Sequence, residues 1–295
     1  SADGAVLPGE TATPLIEEFQ RRNDDGEYVD GLRNAATNVD PSSLDAVFTE
    51  GKRWKEAALA AYRRFALATG ARLAITGEAG SERFVREVSA ALASRPLGIV
   101  AELNGGARAV SIDHGVLPEL GVRIAIYNDE PGRFAHAILP EGDGLRDAAA
   151  LLEKHHAEDP AFRVAYVPDN DGDRGNLVFY DGAGRRARPI DAQSVFALVV
   201  AIELLWVRRL GASTDTIAVV ANGPTSIRID RLCRRLGATL FRAEVGEANV
   251  VSKAKRLEAE GWTVAILGEG SNGGNITPPA TVRDPMSTLL ALIKL

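Results

Sequence analysis

Three aspartates alternate in the run Asp169-Asn170-Asp171-Gly172-Asp173, and Arg174 follows at once. The run comes directly after an apolar segment at 162–167 that reads as a buried strand. Alternate side chains of an extended segment share one face, and a tight loop can turn all three inward. Carboxylates held that close repel one another. A divalent cation removes the repulsion, and a donor set of oxygens alone suits Mg²⁺ or Ca²⁺ better than zinc. Arg174 beside them suits a phosphate bridged to such a metal. The EF-hand pattern fails, because it needs glycine and glutamate where Arg174 and Tyr180 stand. A solvated acidic turn capping the strand is the plain alternative.

A second loop, Gly268-Glu269-Gly270-Ser271-Asn272-Gly273-Gly274-Asn275, follows an apolar segment at 262–267. Its carboxylate, hydroxyl and amides offer the donors and acceptors that sugar hydroxyls need. It is no nucleophile elbow, since Glu269 stands where the first glycine of G-x-S-x-G belongs. The hydrolase order also needs a later histidine, and His114, His136, His155 and His156 all come earlier. No Lys-Ser/Thr follows to make a P-loop. A mere turn is the alternative here. Elsewhere, the glycines at 182 and 184 fit a dinucleotide fingerprint only loosely, and they lie in a hairpin. His155 and His156 are adjacent on a helix and face different ways, which predicts a surface pair. Asn104-Gly105-Gly106 reads as a strand-to-helix turn.

The elements that must carry these loops alternate. Residues 1–50 are polar and turn-rich, with turn signals at Pro8-Gly9 and Asp24-Asp25-Gly26. Helices are expected at 54–67 and at 81–92, the latter with Ser81 as N-cap. Strands are expected at 98–103, 122–127, 162–167 and 176–180, with a helix at 144–156. A hairpin turn at 181–184 leads into 188–190, and a long helix covers 191–210. Strands at 216–220, 239–245 and 262–267 then alternate with helices at 225–236 and 248–259, and a last helix closes the chain. Short links between alternating elements predict two consecutive α/β domains with mixed sheets flanked by helices, after a partly helical N-terminal segment. The boundaries read as 1–95 for that segment, 96–211 for a metal-binding domain and 212–295 for a sugar-binding domain. In such folds ligands meet the loops beyond the carboxyl ends of the strands.

The 295 residues carry 45% hydrophobic and 25% charged side chains, which excludes wholesale disorder. A net charge of −6 argues against non-specific nucleic-acid or membrane binding. The most apolar run, 196–207, is shorter than the ~20 residues a membrane span needs and contains Glu203. A lone Cys233 excludes internal disulfides and reads as a core thiol. With no signal-peptide pattern, a cytoplasmic location is expected. A first residue of serine, and a last one inside an amphipathic pattern, are read as a piece of a longer protein.

Together these motifs resemble the α-D-phosphohexomutase superfamily, the phosphoglucomutases and phosphomannomutases. That family's metal loop reads D-G-D-G-D-R, matched by Asp169 to Arg174, and its sugar loop reads G-E-x-S-G, matched by Gly268 to Ser271 with Asn272 in place of glycine. Thr225-Ser226 and Val245-Gly246 are similar to two further turns, and the order fits from about 97 to 295. The resemblance implies Mg²⁺ on Asp169, Asp171 and Asp173, and Arg174 against a phosphate. It also implies Glu269, Ser271 and Asn272 on the sugar, with hexose phosphates and hexose bisphosphates as ligands. The family transfers a phosphoryl group between C1 and C6 of a hexose through a phosphoserine. No Ser-His-Asn-Pro loop for that serine and no Arg-x-Ser-Gly-Thr loop for the second phosphate occurs here. Gly9 to Pro14 only faintly matches the segment before the serine. Glu247 stands where some members place a basic residue and is the candidate base. The chain alone is therefore expected to be inactive. Two rivals are a non-catalytic sugar-phosphate-binding or regulatory protein and a metal-dependent sugar phosphatase.

Overall fold

In the computed structural model, which describes residues 4–271 and 273–295, two sheets stand behind a helical N-terminal segment. That segment comprises α1 (Gly9–Asp24), α2 (Gly26–Thr37), α3 (Pro41–Ala71), α4 (Leu73–Thr76) and α5 (Gly80–Ser94). Residues 9–50 are thus mostly helical, where the sequence suggested turns. Their apolar residues do recur at helical spacing (Leu15, Ile16, Phe19), although all three stay exposed. Asp25 sits between α1 and α2, and its carboxylate accepts from Tyr28 N at 3.1 Å, so the turn signal there marks a helix restart. The helix expected at 54–67 lies within α3, which is mostly exposed there and becomes mostly buried only from Ala66 to Ala71. Ser81 does not cap α5: Ala79 holds the cap position, without a side-chain bond.

The first sheet has the order β2-β1-β3-β4-β5, from β1 (Gly98–Glu102), β2 (Arg123–Tyr127), β3 (Phe162–Pro168), β4 (Gly175–Asp181) and β5 (Arg186–Ile190). β1, β2 and β3 run parallel, and the β4–β5 hairpin is antiparallel. Helices α6 (Asp113–Glu119) and α7 (Arg146–Glu158) lie between strands. The second sheet has the order β7-β6-β8-β9, from β6 (Ile217–Asn222), β7 (Thr239–Ala243), β8 (Thr263–Glu269) and β9 (Gly274–Ile276). Its helices are α8 (Ala192–Arg209), α9 (Arg228–Leu236), α10 (Glu247–Ala259) and α11 (Pro285–Ile293).

Strand alternation divides the packing. In β1, Val100 faces Leu145, Ala148 and Leu152 around α7, while Ile99 and Ala101 face a larger core. In β6, Ala218 and Val220 face α10, while Ile217, Val219 and Ala221 join that same larger core. The shared core takes in α3, α5, α8 and α11 and binds both sheets into one body. α8 is the apolar run of the sequence, started by Asp191, whose carboxylate accepts from Ser194 N at 3.0 Å. It is a buried helix, and no described helix is long and apolar enough to cross a membrane. Cys233 is buried on α9, and burial pushes its thiol up to about 12.

Candidate functional site

The acidic loop joins β3 to β4, and its geometry is set by its own first aspartate. Asp169 is buried. Its Oδ1 accepts from the backbone N–H of Asp173 (3.1 Å) and of Arg174 (2.9 Å), and its Oδ2 accepts from Arg174 Nε at 2.5 Å. These bonds fold the loop over itself and turn Asp171 and Asp173 toward Asp169. One carboxylate oxygen from each lies within 4.8 Å of the others. Gly172 permits the fold: its φ is +77°, and a Cβ there would sit 2.8 Å from Arg108 Cδ. Asn104-Gly105-Gly106, read as a mere turn, braces the loop from β1. Ala107 N donates to Asn170 O at 2.8 Å, and Asn104 Nδ2 donates to Asn170 Oδ1 at 3.2 Å.

The charges are unequal. Burial pushes the Asp169 carboxyl up, but main-chain and side-chain bonds from Arg174 bring it below the ordinary range. Burial pushes Asp173 up to about 6, against the pull of Arg283, with the charges of Asp169 and Asp171 adding to the rise. Asp173 Oδ1 is buried and has no hydrogen-bond partner among the described residues. Arg174 Nε stands 3.7 Å from that oxygen, and an all-oxygen set of this kind fits a hard divalent cation.

The glycine-rich loop is the tip of the β8–β9 hairpin. Glu269, at the end of β8, is buried; its Oε1 accepts from Asn222 Nδ2 and from Gly246 N, each at 2.8 Å. Thr225 Oγ1 donates to Asn222 Oδ1 at 2.6 Å and accepts from Gly270 N at 3.0 Å. Glu269 therefore ties together three segments of the second sheet. Ser271 is exposed at the tip. Asn272 lies outside the described residues.

Arg283, which the sequence reading passed over, connects the two loops. It precedes α11, pairs through Nη2 with Asp173 Oδ2, and through Nε with Glu247 Oε2 at 2.7 Å. Glu247 opens α10, one residue after the Gly246 that binds Glu269. The neighbour of Arg283, Asp284, caps α11 by accepting from Met286 N at 2.8 Å and also accepts from Tyr62 Oη at 2.7 Å. Below Gly172, Arg108 pairs with Asp113 at 2.6 Å and donates to Tyr62 Oη at 2.8 Å. Tyr62 belongs to α3, so the N-terminal segment buttresses the site. Nothing in the local sequence marks Arg283 or Arg108, because their partners are distant in the chain.

Of the histidines, His155 and His156 are more than a surface pair. His155 Nε2 meets Tyr127 Oη at 2.7 Å, and His156 stacks on Tyr180 with ring centroids 3.6 Å apart. His136 Nε2 meets the buried Glu102 Oε2 at 2.5 Å, while its backbone N–H donates to Asn104 Oδ1 at 3.0 Å. Burial alone would lower the His136 pKa, but its bond to Glu102 raises it above the ordinary imidazole value. A raised folded-state value means that the stabilisation is complete below about pH 6.5 and is lost as pH climbs through the folded value. The melting-temperature gap between wild type and His136→Gln should therefore be widest near pH 6 and shrink toward pH 8. A gap that widens with pH would contradict the pairing.

Residues 197–295 match the family model for phosphoglucomutase/phosphomannomutase, alpha/beta/alpha domain III. That stretch, about the last third of the chain, is a domain of the phosphoglucomutase/phosphomannomutase type. The fold of the chain is that of solved phosphohexomutase structures. A phosphoglucomutase/phosphomannomutase family protein from Burkholderia thailandensis is 18% identical with a TM-score of 0.54, covering 72% of this chain and 43% of that one. Parafusin, a phosphoglucomutase from Paramecium in its open form, is 17% identical with a TM-score of 0.53, covering 71% and 35%. The chain thus spans less than half the length of these relatives. No curated protein matches it.

Proposed function

We propose that this chain supplies the metal-binding and sugar-binding domains of an Mg²⁺-dependent phosphohexomutase, with the boundary near 211 read from the sequence. The observation that carries the reading is the gathering of three carboxylates one ion pair away from the segment that anchors Glu269. Asp169, Asp171 and Asp173 would hold Mg²⁺, which would neutralise charge on a transferring phosphoryl group. Arg174, held by Asp169, would meet a phosphate oxygen with its remaining guanidinium N–H groups. Glu269, Ser271 and Asn272 would read the hexose hydroxyls, with Glu269 oriented by Asn222 and Gly246. The transfer itself, between C1 and C6 through a hexose bisphosphate, needs a phosphoserine loop that the sequence does not show. We propose a cytoplasmic location on the same footing.

That missing loop favours a second reading, a sugar-phosphate-binding protein without turnover. The test is calorimetric titration of glucose 1,6-bisphosphate into the 295-residue chain, with Mg²⁺ and with chelator, beside a coupled glucose 1-phosphate mutase assay. Saturable binding that requires Mg²⁺, with no turnover by the chain, is the expected result. Turnover would show a nucleophile within these residues. Release of inorganic phosphate would replace the mutase by a phosphatase. Absence of bisphosphate binding under both conditions would refute the reading.

A further inference from the structure

Arg283 is the one described side chain that ion-pairs with both the acidic loop and the helix behind the sugar loop. Its side chain is 23% exposed, and its partners Asp173 and Glu247 are 28% and 14% exposed, so water screens these charges only partly. On one side it neutralises Asp173, whose other oxygen is buried without a hydrogen-bond partner among the described residues. On the other it grips Glu247 in the first turn of α10, where a carboxylate is favoured by the helix dipole. The residue before Glu247 donates its N–H to Glu269 at 2.8 Å. The backbone on the far side is fixed as well, since Asp284 is held by Tyr62 and by the start of α11.

We propose that Arg283 is a charge-exchange clasp: its pairing with Asp173 opposes a divalent cation on the acidic loop, and Glu247 passes the exchange to the sugar loop. This rests on the metal reading above. A guanidinium and a doubly charged cation that share one carboxylate repel at close range. A cation on Asp173 Oδ1 therefore loosens the hold of Arg283 on Oδ2. The loosened guanidinium then leans on Glu247, or on a ligand phosphate. Because coupling between sites is reciprocal, a ligand that draws Arg283 away from Asp173 raises the metal affinity by the factor with which the metal raises its own. Arg283 is a positioning residue here, acting through Asp173 and Glu247.

The proposal predicts opposite signs for the two partners of Arg283. Mn²⁺ is titrated into the full chain and free Mn²⁺ is read by electron paramagnetic resonance. Arg283→Gln should tighten binding by about 10-fold, because the competing charge is gone. Glu247→Gln should weaken it several-fold, because Arg283 then rests wholly on Asp173. Arg283→Lys, which keeps the charge, should stay near wild type. Hydrogen exchange at 244–250 should respond to Mn²⁺ in the wild type and not in Arg283→Gln. Weaker or unchanged Mn²⁺ binding in Arg283→Gln overturns the clasp, as does tighter binding in Glu247→Gln. Asp171→Asn separates the two claims: Mn²⁺ binding that survives it refutes the metal site itself, and with it the clasp. If the wild type binds no Mn²⁺ but Arg283→Gln does, the clasp is supported in its strongest form; if neither binds, both ideas fail.

Discussion

Glu203→Gln should lower the melting temperature by roughly 10 °C, while Lys294→Met should shift it by no more than a few degrees. Glu203 lies on α8 between two buried cations. Its Oε2 is 3.3 Å from Arg72 Nε, and its Oε1 is 2.5 Å from Lys294 Nζ. The three side chains are only 4%, 1% and 1% exposed, for Arg72, Glu203 and Lys294. Arg72 is further held by the carbonyls of Pro278 (3.0 Å) and Ala265. Burial pushes the Lys294 ammonium down, and the Glu203 charge resists that fall. Glutamine would leave two cations facing each other with only the carboxylate of Glu258, which makes no ion pair with either, acting on Arg72. Arg72 cannot shed its proton, so Lys294 must lose its own or the core must open. Breaking a buried pair this way costs about 3–5 kcal/mol. Removing Lys294 instead leaves a matched Arg72–Glu203 pair, and methionine refills most of the volume. Thermal melts followed by circular dichroism decide the matter. Equal losses in the two variants would mean that packing, and not charge balance, sets the cost.

The same contrast explains which parts of the molecule were legible in the sequence. The central strands and α8 announce themselves through continuous apolar runs, because both faces of each sheet are covered. The acidic loop is visible because its chemistry is local: Asp169, Asp171 and Asp173 are brought together by bonds that span at most five residues. The hairpin strand β9 is three residues long and glycine-rich, so it was hidden inside a loop signal. Helix α9 starts at Arg228 and not at 225, because Thr225 spends its hydroxyl on Asn222 and Gly270. Arg283, Arg108 and Tyr62 were invisible for a different reason. Arg283 pairs with a carboxylate 110 residues earlier in the chain, and Tyr62 Oη reaches an aspartate 222 residues later. Pattern within a window records neither. The N-terminal helices show the reverse failure: α1 and α2 bury no side chain, and the turn signals at Pro8-Gly9 and Asp24-Asp25-Gly26 mark their starts, so the turns stood out and the helices behind them did not.

The acidic loop makes the second large prediction, in which two aspartates of one cluster behave oppositely in the metal-free chain. Asp169→Asn should destabilise the chain by about 2 kcal/mol, within the range for hydrogen bonds to charged groups. An asparagine can still accept the N–H groups of Asp173 and Arg174, but its amide would then point a donor at Arg174 Nε, 2.5 Å away in the wild type. Asp171→Asn should leave the metal-free stability unchanged or raise it, since it removes one of three crowded like charges. Both variants should lose at least 100-fold in Mg²⁺ affinity, because each removes a carboxylate from a hard-cation donor set. Melts in chelator and in excess Mg²⁺ separate the two effects. At 100 times its dissociation constant, a cation that binds only the folded chain stabilises it by about 2.7 kcal/mol. The wild type should gain that increment on adding Mg²⁺, and both variants should gain almost none. Asp171→Asn losing stability in chelator would mean that Asp171 holds the loop together and is not poised for a cation. A wild type and an Arg283→Gln variant both indifferent to Mg²⁺ would return the loop to the status of an acidic turn.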